Sequence, residues 1–173
     1  MRTSWILKYP VALLILALAG QPARADDWRV YVNDRFGTRV EYPADVLIPI
    51  ETSDDGDGKE VGDGQRFLSP DKKIRATVYA GFNVDHISVD RLYAAAIYDV
   101  RKARITYRSR GPTWFVLSGF KKSNAYYYKV MFSKDYRTVH TLEITYPATE
   151  KPTYDPLMLR MADSLATSPN PVQ

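Results

Sequence analysis

The 173-residue chain contains no cysteine. That excludes disulfides, thiolate nucleophiles, thiolate metal sites and iron–sulfur clusters. It also excludes a lipid anchor attached to a cysteine behind the leader. Histidine occurs only twice, as His86 and His140. Long apolar runs are equally scarce. Val11 to Ala19 reads VALLILALA, about half of the roughly 20 apolar residues a membrane-spanning helix requires. No Gly-x-Ser-x-Gly turn, phosphate-binding glycine loop or internal repeat occurs. No catalytic residue, metal site or cofactor is therefore expected.

The apolar run has a different use. Arg2 and Lys8 precede it, Gly20-Gln21-Pro22 breaks it, and Ala23-Arg24-Ala25 supplies a small-x-small end before Asp26-Asp27. This order is that of a secretory signal peptide. We expect residues 1–25 to be removed after Ala25 and the remainder to be periplasmic or secreted, with no transmembrane anchor after cleavage. Residues 26–166 read as one domain and residues 167–173 as a disordered, proline-containing tail. The whole chain carries 24 basic and 20 acidic residues; without the leader the balance is 21 to 20. So even a charge balance gives no support to a nucleic-acid partner.

Periodicity supplies the architecture. Ile74, Ala76, Val78 and Ala80 alternate with Lys73, Arg75, Thr77 and Tyr79, as in a half-buried strand. Four more strands are expected at Ile105–Arg108, Thr113–Ser118, Ala125–Phe132 and Thr138–Tyr146. The short links between the later ones indicate hairpins. Ser88 is placed to cap a helix whose stripe is Val89, Leu92, Tyr93, Ala96, Ile97 and Val100. Asp155 followed by Pro156 predicts the start of a second helix, with Met158, Met161, Ala162 and Leu165 buried. Hairpins plus two amphipathic helices predict an α+β fold: a twisted antiparallel β-sheet with both helices packed against it.

Several segments, FGTRVEYPADV (36–46), GDGQRF (62–67), WFVLSGF (114–120), YYYK (126–129) and YDPLMLRMADSL (154–165), resemble a family of uncharacterised exported bacterial proteins. The opening FG…YP and the closing helix are also similar to PsbP-like proteins. That resemblance implies an antiparallel sheet flanked by helices and a role as an extrinsic assembly or stabilising subunit. It carries over no catalytic residue and no ligand site.

Three segments are candidates for chemistry. The acidic loop from Asp54 to Gly64 is rich in the oxygen ligands that calcium takes. Setting Gly58 on the glycine of an EF-hand loop, however, puts Ser53 at its first position and Gly64 at its last. The template fails at both ends. His86 adjoins Asp85, and His140 lies in a strand; either imidazole with a carboxylate would suit a small periplasmic hydrolase. Ser118 as a nucleophile lacks the sharp-turn motif around it.

The clearest signal is charge order. Between Asp26 and Asp99 acids outnumber bases 15 to 9, whereas Val100 to Lys134 holds nine bases and no acid. Arg101, Lys102, Arg104, Arg108, Arg110, Lys121 and Lys122 are the candidate ligand-binding residues, interleaved with Tyr107, Trp114 and Tyr127. If they share a face, it would attract phospholipid headgroups, cell-wall polyanions or an acidic protein. The leading expectation is a non-enzymatic periplasmic binding or accessory domain that contacts an anionic envelope component or a protein partner. A hydrolase using His86 or His140 is the alternative. A subunit that hides an aromatic surface in an oligomer is a third.

Overall fold

Alternating side chains commit nearly half of the described residues to strands, and two turns of the same chemistry show how closely local sequence sets the hairpins. The computed structural model describes residues 25–51 and 63–167. The expected leader through residue 24, the acidic loop at 54–62 and the tail at 168–173 lie outside the described residues.

Among the described residues ten strands form two antiparallel sheets. The strands are β1 (Trp28–Asn33), β2 (Thr38–Pro43), β3 (Ile48–Ile50), β4 (Gly64–Leu68), β5 (Arg75–Phe82), β6 (Arg104–Arg110), β7 (Trp114–Lys121), β8 (Asn124–Phe132), β9 (Thr138–Pro147) and β10 (Ala166–Thr167). The large sheet has the order β3-β4-β5-β9-β8-β7-β6, and the small one β1-β2-β10. The helices are α1 (Val89–Asp99) and α2 (Lys151–Ser164).

The β4–β5 and β8–β9 hairpins use one turn chemistry twice. In each, a serine hydroxyl donates to an aspartate two residues on at 2.6 Å (Ser69 to Asp71, Ser133 to Asp135). That carboxylate accepts from the backbone N–H of Lys73 or Arg137 at 3.2 Å. The residue between, Lys72 or Tyr136, is left-handed, at φ 59° and 60°. Short polar side chains replace backbone partners in such turns. The same bonds hold the Asp71 carboxyl at a pKa of about 2, with the Ser69 hydroxyl as the largest cause.

The helices take opposite faces of the large sheet. On one face α2 and the small sheet enclose Val40, Phe67, Ile74, Val78, Leu142, Ile144 and Met161. On the other, α1 and its C-terminal cap residue pack Val89, Ala96 and Val100 over Phe115, Leu117 and Val130. Ser88 caps α1 as the sequence predicts, its hydroxyl accepting from the Arg91 N–H at 3.2 Å. The α+β architecture is thus as expected, with the small second sheet as an addition.

Two local expectations change. The second helix starts at Lys151, not behind Asp155, with Pro152 in its first turn and Pro156 inside it. Asp155 does not cap; its carboxylate accepts from the Tyr146 hydroxyl of β9 and, at 2.5 Å, from Lys151. These contacts tie the first turns of α2 to the sheet and offset the one backbone bond Pro156 cannot make. At the other end of α2 the chain adds β10, so Thr167, placed in the tail by sequence, pairs with Thr38.

Candidate functional site

The run of bases is divided by sheet register. Arg104 opens β6 opposite Phe120, and Lys121 faces Asn124 across the β7–β8 hairpin. The turn from α1 into β6 carries Arg101 and Lys102 at the same end of the sheet. Arg101, Lys102, Arg104, Lys121 and Lys122 therefore meet at one exposed corner. Arg110 lies at the far end of β6, opposite Phe115, and is paired with Asp90 of α1 at 2.5 Å. Arg108 stands between them. Of the two further bases in the run, Lys134 is in the opposite hairpin. Lys129 turns inward and donates to the Ala162 carbonyl at 2.7 Å. Burial lowers its pKa.

Aromatic rings hold the corner cations in place. The Arg101 guanidinium lies 4.1 Å from the Tyr98 ring centre and donates to the Tyr98 carbonyl at 2.9 Å. It thereby stands at the C-terminus of α1, where a positive charge meets the negative end of the helix dipole. Arg104 sits 4.7 Å from the centre of Phe120, and Lys121 5.7 Å from that of Tyr126. Lys122 is left-handed at φ 57° at the hairpin tip. Asp99 is the acid nearest in sequence, at the end of α1. Cations over ring faces remain available to an incoming anion, because the ring satisfies them without neutralising charge.

The histidines are not brought to a reactive arrangement. His140 is fully buried, with Nδ1 2.8 Å from the Thr38 hydroxyl and Nε2 3.0 Å from that of Thr138. Burial lowers its pKa from 6.5 to about 4, so it is neutral at physiological pH. Among the described residues its hydrogen-bond partners are two hydroxyls and no carboxylate. His86 lies on the exposed turn before α1, at φ 48°. Asn83 organises that turn: its side-chain oxygen accepts from Ile87 N–H at 2.8 Å and its amide donates to Tyr136 O at 3.0 Å. Ser118 is opposite Tyr127, whereas His140 is opposite Met131, so the register does not bring Ser118 to His140 as a nucleophile and its base. No three histidine or carboxylate side chains are grouped to hold a metal among the described residues.

Asp63, the described acid of the acidic loop, accepts from Arg35 at 2.6 Å instead. A groove of about 280 Å³ opens on the α1 side of the sheet, lined in part by Tyr79, Gly81, Leu92, Tyr128, Val139 and Thr141. The Tyr79 hydroxyl bonds to Thr141 and Tyr128, and burial raises its pKa. These phenols are protonated donors at neutral pH, suited to hydrogen bonding and not to proton abstraction.

Sequence reasoning missed the Thr38–His140–Thr138 chain and the groove. The first joins residues 102 positions apart. The second depends on how the Asn83–Ile87 turn is held.

No family model matches the sequence, and no curated protein matches it. Solved structures do. Cyanobacterial PsbP of Synechocystis sp. PCC 6803 superposes with a TM-score of 0.60 at 12% identity, over 88% of this chain and 99% of that one. The Ran-binding protein Mog1p of Saccharomyces cerevisiae gives a TM-score of 0.50 at 9% identity, over 82% and 95%. A protein of Bacteroides thetaiotaomicron gives 0.50 at 13% identity, over 81% of this chain and 48% of that one. The PsbP-like resemblance therefore holds at the level of the fold.

Proposed function

We propose that this chain is an exported, non-catalytic binding or accessory domain that engages an anionic component of the bacterial envelope through the corner formed by Arg101, Lys102, Arg104, Lys121 and Lys122. Arg108 and Arg110 extend that surface along β6. The observation that supports it is the convergence of two separate sequence segments, the α1–β6 turn and the β7–β8 hairpin, on one exposed basic corner. The segment from Val100 to Lys134 brings no acid to it.

The leader argues for export, and no helix among the described residues is long and apolar enough to cross a membrane. His140 sealed between two threonines argues against the hydrolase alternative at that histidine. The similar fold of a Ran-binding protein supports a role in binding, since a sheet with two helices is enough to present a contact surface.

The test is capture from envelope extract on immobilised mature protein. Recovery should fall with rising salt, because exposed charges are screened. It should also fall with Arg104→Glu and Lys122→Glu. Equal recovery by the wild-type protein and both variants removes the basis of the proposal.

A further inference from the structure

The large sheet ends on β6 with no strand on its outer side among the described residues. Such an edge offers a row of backbone N–H and C=O groups to any chain that can lie beside it. We propose that this edge accepts an extended acidic segment of a partner protein as an eighth strand of the sheet. The inference rests on the basic corner as the binding surface and names the class of partner.

Four strand edges invite comparison. β3 has three residues, one of them Pro49, which has no N–H to donate. β10 has two residues. β1 is longer, but its Arg29 is tied to Asp27 at 2.8 Å, so its edge selects for no charge. β6 differs from all three. Its seven residues read RITYRSR, five are exposed, and it contains three arginines and no acid.

Charge on an edge is ordinarily a guard against pairing. A guard of one sign is selective, however. It repels a second copy of β6 and admits a strand of opposite sign, since opposite charges on facing strands attract and like charges repel. The β-bulge between Ile105 and Tyr107 disturbs the inner half of the edge and leaves Tyr107 to Arg110 in regular register with β7.

Side-chain direction completes the specification. Arg108 and Arg110 face the α1 side, opposite Leu117 and Phe115. Tyr107 and Ser109 face the other way. Arg108 makes no ion pair among the described residues, whereas Arg110 is already held by Asp90. An added strand with a carboxylate at every second residue would meet Arg108 on one face. The intervening β-branched side chains would lie beside Tyr107, which is 56% exposed. This is strand addition, in which main-chain bonds give affinity and alternate side chains give specificity.

The probe is a synthetic peptide of alternating glutamate and valine, titrated into the purified mature protein and followed by fluorescence anisotropy and by backbone amide shifts of Thr106 to Arg110. A second peptide has the same sequence with alternate backbone nitrogens methylated, which keeps the charge and removes the donors. We expect the parent to bind, the methylated form to bind about tenfold more weakly or worse through loss of main-chain bonds, and Arg104→Glu/Arg108→Glu to reverse preference toward a lysine–valine peptide. Circular dichroism of that variant checks that it folds. Equal binding of both acidic peptides overturns strand addition and leaves anion binding standing. Binding to phosphatidylglycerol vesicles with no peptide binding overturns it in favour of a membrane surface. Binding of neither probe overturns it as well, and salt-sensitive capture from envelope extract then decides the broader reading independently.

Discussion

The Thr38 hydroxyl on β2 lies 2.8 Å from Nδ1 of His140 on β9, and this pair links the small sheet to the large one. Thr138 takes the other ring nitrogen. A neutral imidazole has one donor and one acceptor, and two rotatable hydroxyls satisfy both. The cation would have no countercharge in the same place. Burial alone depresses the pKa to about 4.

That depression predicts a pH window. The unfolded chain takes up a proton near pH 6.5 and the folded chain only near 4, so the unfolded state binds more protons between those values. Stability from this group is full above pH 6.5 and declines as pH falls toward 4, by about 3 kcal/mol in all. Urea unfolding measured at intervals between pH 7.5 and 4.5 should show the decline. His140→Gln should lower stability at neutral pH and flatten the profile in this window. A wild-type profile level from 7.5 to 4.5 would show that the ring gains its proton without leaving the folded state.

Gly119 makes a second prediction. A Cβ placed there would stand 2.1 Å from the Arg104 carbonyl and 2.8 Å from the Ile105 Cα, both backbone atoms that cannot rotate aside. Gly119 is thus what lets β6 close on β7 beside the bulge. Gly119→Ala should destabilise by about 1–3 kcal/mol, the usual range for overpacking. Faster hydrogen exchange should be confined at first to Ile105 to Arg108. The same variant should weaken envelope capture, because Arg104 is held by that pairing. Unchanged exchange along β6 would mean the two strands separate without loss.

The sequence speaks clearly where one period or one cap decides the outcome. The alternation in Lys73–Ala80 becomes β5, and Ser88 caps α1. It is silent where pairing between distant segments decides. β10 is two residues, Ala166 and Thr167, too short to show any period, so the small sheet could not be read. Pro156 resembles a helix start because proline fits the first turn, yet the contact of Asp155 with Tyr146 supports a helix that begins earlier. For the site, the bases stand out in sequence as a run without acids. Their partition between a corner and Arg110 follows from the register Arg104↔Phe120 and Arg110↔Phe115. The burial of His140 has no local sign at all, since a histidine in an alternating strand reads the same on either face.

Charge variants separate binding from folding. Lys102 and Lys122 are exposed and lie in turns. Lys102→Glu and Lys122→Glu should each change stability by no more than about 0.5 kcal/mol, as surface substitutions do, while together abolishing the salt-sensitive part of envelope capture. Arg110→Glu should act in the opposite way. It breaks the pair with Asp90 and removes a cation 5.3 Å from the Tyr93 ring centre, so thermal unfolding shifts slightly while capture at the corner is largely kept. Capture lost equally in all three variants would show that Arg110 contributes as much to the contact as the corner, despite its pairing with Asp90.

The proposed export predicts cleavage after Ala25, which would remake the N-terminus. In the uncut chain the Asp26 N–H donates to the Asp45 carboxylate at 3.1 Å, and the Trp28 indole donates to the Ala25 carbonyl at 3.2 Å. Removal of residues 1–25 deletes the second bond and turns the first donor into an ammonium facing the same carboxylate. The exchange replaces a neutral hydrogen bond with an exposed ion pair, worth up to about 1 kcal/mol. An ammonium beside a carboxylate has a raised pKa, so this contribution is present below the free α-amino value of about 7.7–8.0 and fades as pH rises above it. Intact-mass measurement of protein recovered from the periplasm should give a chain that begins at Asp26. Asp45→Asn should then lower the stability of that chain at pH 6.5 and have little effect at pH 9.5. In a chain carrying one added residue before Asp26, the same substitution should be insensitive to pH over this range. A periplasmic mass that retains the apolar leader would show that the segment stays attached, and would remove both the new ion pair and the export reading built on cleavage.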